Sequence, residues 1–194
     1  MKISGITWQG ESSDDIEILR ELPPDLASLL ADVNGCILHS GALHIRGASL
    51  GPEWHSLRHA WHGPEAIHQL YEEVAGSDIP FAQGQMGDQF LIRDGRIHRL
   101  EAETGSVQPF CESLSQFVNE VERDIAGFLR AGLEQELEPG QLWLAFPPFV
   151  VDPGPKGTSL KACPVSEVIR FHADFARKIR NIPDGGQIEF QVTD

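Results

Sequence analysis

Hydrophobic residues recur at helical spacing in the segment 22–35, which carries the clearest short helix of the chain. Four apolar residues there fall at i, i+3, i+4 and i+7; they are Leu26, Leu29, Leu30 and Val33. Pro24 suits the first turn of a helix because its missing N–H has no intrahelical partner there. Asn34 or Gly35 can adopt the left-handed conformation that ends a helix. The pattern predicts a helix that buries one face.

Two longer segments further along the chain also have helical spacing. Ser113, with Gln116 three residues later, forms a capping box, and an apolar stripe follows it. The stripe consists of Leu114, Phe117, Val118, Val121, Ile125 and Phe128. We expect this helix to lie flat across a sheet. The other helix begins at Pro164, and its expected buried positions are Val168, Ile169, Phe171, Phe175 and Ile179.

Shorter helices are predicted from capping residues and prolines. Ser12 or Ser13 can cap a first helical turn through the acidic residues that follow. Pro52 and Pro64 each open a helix, and the second of these is predicted to run over 65–74, before Gly76. Its apolar positions are Ile67, Leu70, Tyr71 and Val74.

Strand-like apolar runs bounded by glycine and proline make up most of the remaining pattern. Strands are predicted around 3–8, 36–39, 42–46, 79–82, 142–146 and 187–192. The clearest hairpin runs from Phe90 to Leu100, because Asp94-Gly95 tolerates the positive φ angles of a type I′ turn. Strands mixed with single helices are typical of an α+β fold with a mostly antiparallel central sheet flanked by helices. We expect a single domain over 1–194, with its core at about 16–131 and a C-terminal elaboration at 139–194.

Composition narrows the classes of partner. The 194 residues are 41% hydrophobic, which is enough for one good-sized core. The formal net charge is −14, so phosphate backbones and anionic lipid surfaces should repel the chain, whereas a basic protein should be attracted. Three widely spaced cysteines argue against a disulfide framework and a zinc ribbon. Together with an N-terminus that lacks an apolar signal-peptide run, they predict a cytoplasmic protein.

Acidic residues are concentrated in two segments. Residues 11–32 hold seven acids and one base, a net charge of −6, and residues 101–138 hold nine acids and two bases, a net charge of −7. Solvated helix faces commonly carry such charge. A concentrated negative field also steers a basic partner onto a protein, so both interpretations stay open.

Histidine is the residue type that most directly suggests chemistry. His55, His59 and His62 are spaced so that a helix would place three imidazoles on one face, where they could hold a transition metal. Against this, Trp54 and Trp61 belong to a neighbouring stripe that is the natural core face of that helix, and no His-Glu-x-x-His pattern is present. Glycine-containing loops at 84–88 and 154–158 lack the features of nucleotide sites, and no serine has a Gly-x-Ser-x-Gly setting. The sequence therefore predicts no catalytic, cofactor-binding or metal-binding residues.

The order of several segments is similar to that of a known family. Leu22-Pro23-Pro24-Asp25-Leu26 is followed by Asn34-Gly35, then by Ile79-Pro80-Phe81-Ala82, then by Gly87-Asp88-Gln89-Phe90-Leu91-Ile92 with its turn at Asp94-Gly95. Over about 16–131 this order resembles the SUKH superfamily, in particular its cell-wall-regulator branch. The resemblance implies a mixed sheet flanked by helices, no enzymatic activity, and a surface that binds and silences a toxin domain, often a nuclease or deaminase. The segment 51–74 and the tail after Pro139 are longer than that family's minimal core.

Three functional hypotheses follow, in order of preference. The first is a non-enzymatic protein-binding domain, an immunity protein that neutralises a cognate toxin; the second is a regulatory or scaffold interaction module; the third is a metal-dependent hydrolase built on the histidines. The expected partner is a basic protein, with no nucleic acid, membrane or cofactor, and the oligomeric state stays open. The candidate partner-binding residues are Asp14, Asp15, Glu17, Trp54, Trp61, Glu134, Glu136 and Glu138.

Overall fold

A seven-stranded antiparallel sheet forms the centre of the fold, and each strand pairs with the strands next to it in the chain. The strands are β1 (Ile6–Gln9), β2 (Cys36–Leu38), β3 (Leu43–Ile45), β4 (Ile79–Gly84), β5 (Gln89–Arg93), β6 (Arg96–Leu100) and β7 (Val107–Cys111). Two further strands, β8 (Gln141–Phe146) and β9 (Ser159–Pro164), form a separate antiparallel hairpin. The computed structural model describes residues 3–132, 136–152, 157–183 and 185–187. The predicted α+β class with an antiparallel central sheet is confirmed.

In the described part of the chain, six helices connect and cover these strands. They are α1 (Ile16–Glu21), α2 (Pro24–Asp32), α3 (Leu57–His62), α4 (Ile67–Leu70), α5 (Leu114–Leu129) and α6 (Val165–Ile179), with a short 3₁₀ turn (His39–Gly41) between β2 and β3. Pro24 occupies the first turn of α2 and Gly35 takes a positive φ of 71° after it, as the pattern predicts. Among the described residues, no helix is long and apolar enough to cross a membrane.

The β5–β6 hairpin confirms the clearest turn signal in the sequence. Asp94 and Gly95 have φ angles of 51° and 78°, both positive as a type I′ turn requires. The strands pair in register, with Ile92 opposite Ile97. The hairpin lies inside the sheet, because β5 also pairs with β4 and β6 also pairs with β7.

Helix α4 is shorter than the spacing of apolar residues predicts. The helix ends at Leu70, and Tyr71 is extended, with its hydroxyl donating to the carbonyl of Ala102 at 3.2 Å. Further on, the carboxylate of Asp78 accepts from the N–H of Ala75 at 2.7 Å. Tyr71 and Val74 are buried as expected, but in an irregular segment, because the long-range bond of Tyr71 and the local turn at Asp78 compete with the helix.

Helix α5 covers one face of the sheet, as predicted. Phe117 is fully buried, and its ring lies 5.3 Å from that of Phe81 and 5.0 Å from that of Phe90. The buried residues of α2 join the same cluster. Neighbouring residues of a strand point to opposite faces, so Phe90 and Ile92 face this cluster whereas Leu91 does not.

The C-terminal part of the chain covers the other face. Leu91 and Leu100 pack in a second cluster with Ala173 and Ala176 of α6. The β8–β9 hairpin adds a third cluster, in which Leu142 and Cys163 pack with the first turns of α6. The central sheet is therefore buried on both faces. The strand predicted at 187–192 extends outside the described residues.

Candidate functional site

Asp15, one of the candidate partner-binding acids, is buried and makes internal bonds. Its side chain is the N-cap of α1 and accepts from the N–H of Ile18 at 3.1 Å. The guanidinium of Arg58 on α3 donates to both carboxylate oxygens, at 2.5 and 2.7 Å. This ion pair holds the pKa of Asp15 below its usual value. Asp15 therefore fixes α1 against α3.

Asp14 and Glu17 flank Asp15 and are exposed. Asp14 accepts from the backbone N–H of Leu50 at 2.8 Å, which ties the loop after β3 to the start of α1. Two large apolar side chains in this region face solvent: Ile16 is 55% exposed and Leu50 is 64% exposed. We call these four residues, Asp14, Ile16, Glu17 and Leu50, the α1 surface.

The two candidate tryptophans have different environments. Trp61 is buried in the main core and its indole N–H donates to the carbonyl of Gly76 at 3.0 Å. Trp54 is half-buried, and its ring centroid lies 5.1 Å from those of both Trp8 and His44. Gly140, with a φ of 87°, passes close to the Trp54 ring. Trp54 borders a cavity, as described below.

The second acidic cluster is described only in part. Glu136 and Glu138 are exposed on either side of buried Leu137, whose N–H donates to the carbonyl of Ser40 at 2.9 Å. Glu134 lies outside the described residues. This cluster follows α5, whereas the first cluster lies on α1.

The three histidines of the proposed metal helix do not converge. Helix α3 begins at Leu57, so His55 precedes it, and the side chain of His55 is only 1% exposed. His62 is exposed on the helix and lies 3.2 Å from a carboxylate oxygen of Glu21. Within the described part of the chain, no group of three or more His, Cys, Asp or Glu side chains could hold a metal ion.

His55 instead belongs to a one-directional chain of buried hydrogen bonds. The carbonyl of Asn34 can only accept, so Nε2 of His55 donates to it, at 3.1 Å. Nδ1 of His55 then accepts from Nε2 of His44 at 2.9 Å, and Nδ1 of His44 accepts from the amide of Gln83 at 3.2 Å. The other end of that amide, Oε1, accepts from Arg46 at 2.7 Å. The bonds themselves assign both tautomers, and both imidazoles are neutral.

Burial favours the same protonation state. It lowers the pKa of His44 well below its usual value, with a smaller contribution from the positive charge of Arg46. Burial also lowers the pKa of His55, although the bond to Asn34 opposes that shift. A proton added to either ring would place two donors opposite each other in the chain.

Arg46 ends this network and is 2% exposed. Its guanidinium makes three hydrogen bonds of 2.7 Å, to the carbonyl of Pro80 and to the side-chain oxygens of Gln83 and Gln89. All three acceptors are neutral, and no carboxylate pairs with this guanidinium in the described ranges. Burial lowers the pKa of Arg46 to about 9. The sequence pattern predicted Arg46 only as the last residue of a strand. Its position as a charged residue within an apolar stretch was the one signal in the sequence that it is buried.

Arg46 also borders a cavity of about 350 Å³, which we call the Arg46 cavity. Its apolar walls are Trp54, Ile67, Leu70, Val165 and Ile169. Its other charged residues are Glu53, Glu65 and Arg170, and the last two form a bidentate pair at 2.7 and 2.8 Å. The cavity thus lies between α3, α4 and α6.

A second exposed apolar group lies at the tip of the β8–β9 hairpin. Its members are Phe146, Phe149, Val150 and Leu160, each between 43% and 59% exposed. The carboxylate of Glu103 accepts from the N–H groups of Phe149 and Val150 at 3.0 and 3.1 Å, which fixes the loop on the body of the protein.

Comparisons of the chain with protein-family models, curated proteins and solved structures gave no match.

Proposed function

We propose that this chain is a non-enzymatic protein-binding domain, an immunity-type protein that holds a basic toxin domain on the α1 surface. The observation that carries the proposal is the exposure of Ile16 and Leu50 beside two acids, Asp14 and Glu17, in a segment with a net charge of −6. The only base in that segment is Arg20.

Each part of the α1 surface has a role in such a contact. Ile16 and Leu50 supply apolar area that water covers in the free protein and that a partner can bury. Asp14 and Glu17 supply negative charge, which speeds encounter with a positive surface and orients it. A nuclease or deaminase domain has such a positive surface, because it must bind phosphates.

The thiols fit the cytoplasmic location that belongs to this proposal. Cys36, Cys111 and Cys163 are free and buried. Burial raises the pKa of Cys36 to about 12, which keeps that thiol protonated and unreactive.

Growth rescue and direct binding test the proposal. Proteins encoded by the genes next to that of this chain are expressed in bacteria, each with and without the chain. We expect one of them to arrest growth alone and to be neutralised by the chain. Binding of the purified pair, followed by stopped-flow fluorescence, should have an association rate that falls as salt rises. Binding without toxicity would instead favour a regulatory or scaffold module.

A matched pair of variants locates the contact. Leu50 and Phe149 are similarly exposed, on the α1 surface and on the hairpin tip respectively. We expect Leu50→Ser to weaken binding by about tenfold and Phe149→Ser to leave it unchanged, since removal of a buried interface side chain costs more than 1 kcal/mol. The reverse result would move the binding surface to the hairpin tip.

A further inference from the structure

The guanidinium of Arg46 is a buried cation that no carboxylate of the described residues accompanies. It is 2% exposed and, within those residues, bonds to the neutral oxygens of Pro80, Gln83 and Gln89. Burial of a charge is unfavourable unless an opposite charge accompanies it. These bonds use one N–H of Nη1 and both of Nη2, so the second N–H of Nη1 and the N–H of Nε remain for further acceptors.

The space beside Arg46 is suited to a ligand with an apolar body. The Arg46 cavity has a volume of about 350 Å³, and its walls include the Trp54 indole and the larger aliphatic side chains of Ile67, Leu70, Val165 and Ile169. Small-molecule sites typically combine such walls with a few polar groups that fix the orientation of the ligand.

The remaining charges of the cavity leave Arg46 as the group that recognises an anion. Glu65 and Arg170 satisfy each other through two hydrogen bonds. Glu53 is exposed and also borders the cavity, so its negative charge opposes the entry of an anion. His59, on α3, also borders the cavity.

We propose that the Arg46 cavity binds a small organic carboxylate, whose charged end pairs with Arg46 and whose apolar body packs against Trp54. Nη2 belongs to both bidentate edges of the guanidinium and is already occupied, so a carboxylate would accept one charge-assisted hydrogen bond, from Nε or Nη1. Such a ligand would supply the anion that Arg46 lacks. This site is separate from the α1 surface, because the two share no residue.

Phenylacetate is a suitable probe, because its ring can pack on an indole and its carboxylate can reach the guanidinium. Phenylacetamide, which is neutral and nearly the same size, is the matched control. We expect titration of phenylacetate into the ¹⁵N-labelled protein to shift the indole N–H resonance of Trp54. The amide should bind about tenfold more weakly, which is the difference that a charge-assisted pair contributes.

Three variants test the role of each part of the cavity. Arg46→Gln removes the cation and should weaken phenylacetate binding by about tenfold. Because Arg46 belongs to a buried network, Ser166→Trp provides a second test: Ser166 is exposed and borders the cavity, and an indole there should block access while Arg46 stays in place. Ser28→Trp, at an exposed position on α2, is its control and should bind normally. Glu53→Gln should tighten binding about twofold, by removing an opposing charge.

The proposal is overturned if phenylacetate causes no shift of the Trp54 resonance at about 10 mM, a concentration at which weak small-ligand binding is visible. It is also overturned if phenylacetate and phenylacetamide bind equally well, or if Ser166→Trp binds phenylacetate as tightly as Ser28→Trp does.

Discussion

Three buried histidines lack the positive charge that they would carry in an unfolded chain at mildly acidic pH. Burial lowers the pKa of His44, His55 and His172, the last to about 4. His172 is fully buried, and neither of its ring nitrogens has a hydrogen-bond partner in the described residues. The unfolded chain binds protons at these histidines below about pH 6.5, whereas the folded protein does not.

The free energy of unfolding should therefore fall as pH falls below about 6.5, and for His172 the loss should continue until about pH 4. Each histidine contributes a slope that approaches about 1.4 kcal/mol per pH unit. Urea unfolding at several pH values across this range measures the slope.

Two substitutions separate His172 from the other titrating groups. His172→Met should reduce the slope, because it removes one group that takes up a proton on unfolding. Ser28→Ala, at an exposed position that does not titrate, should leave the slope unchanged. An equal slope in His172→Met and the wild-type protein would contradict the assignment of a neutral, buried His172.

Helix α5 shows how a local signal sets the start of an element. The side chain of Ser113 accepts from the N–H of Gln116 at 3.2 Å, which confirms the predicted cap. The return bond differs from that of a regular capping box, since the Gln116 side chain accepts from the N–H of Glu112 instead of that of Ser113.

Loss of this cap should lower the stability of the whole protein, because α5 covers the sheet. We expect Ser113→Ala to reduce the free energy of unfolding by about 1 kcal/mol. Ser115→Ala, at an exposed position in the first turn of the same helix, should change it by less than about 0.5 kcal/mol. Urea denaturation measures both, and equal effects would mean that the Ser113 cap contributes nothing.

Sequence patterns predicted the elements whose signals are local. The β5–β6 turn, α2, α5 and α6 depend on residues close together in the chain. By contrast, β7 was missed because it contains Pro109, which is tolerated there only because β7 is an edge strand. Strand β9 was missed because four of its six residues are exposed, so it has no alternating pattern.

The candidate site was predicted less well than the fold, because its residues come from segments far apart in the chain. The Arg46 network joins Asn34, His55, Gln83 and Gln89, which the pairing of distant segments brings together. A single sequence gives no signal for such pairing. Asp15 illustrates the same limit, since its acidity was visible in the sequence but its bond to Arg58, 43 positions away, was not.

At the scale of the whole molecule, the C-terminal part completes the core. Leu91 and Leu100 of the central sheet pack in one cluster with Ala173 and Ala176 of α6, so removal of the C-terminal part would take away part of their cover.

A chain that ends at Glu138 should therefore fail to form a native core. We expect it to bind the dye ANS and to lose cooperative urea unfolding, whereas the full chain unfolds cooperatively and binds no dye. A monomeric 1–138 fragment with cooperative unfolding would show instead that the first 138 residues fold independently of the hairpin and α6.

The chain-order pairing of the seven strands has a consequence during synthesis. Each strand can pair as soon as it leaves the ribosome, because its partner has already emerged. Helix α6, however, ends roughly 70 residues after β7, so at typical translation rates it follows by about 3 to 14 s. During that interval the second face of the nascent sheet has only the cover of the segment 60–74, and its remaining apolar surface is the kind that chaperones recognise.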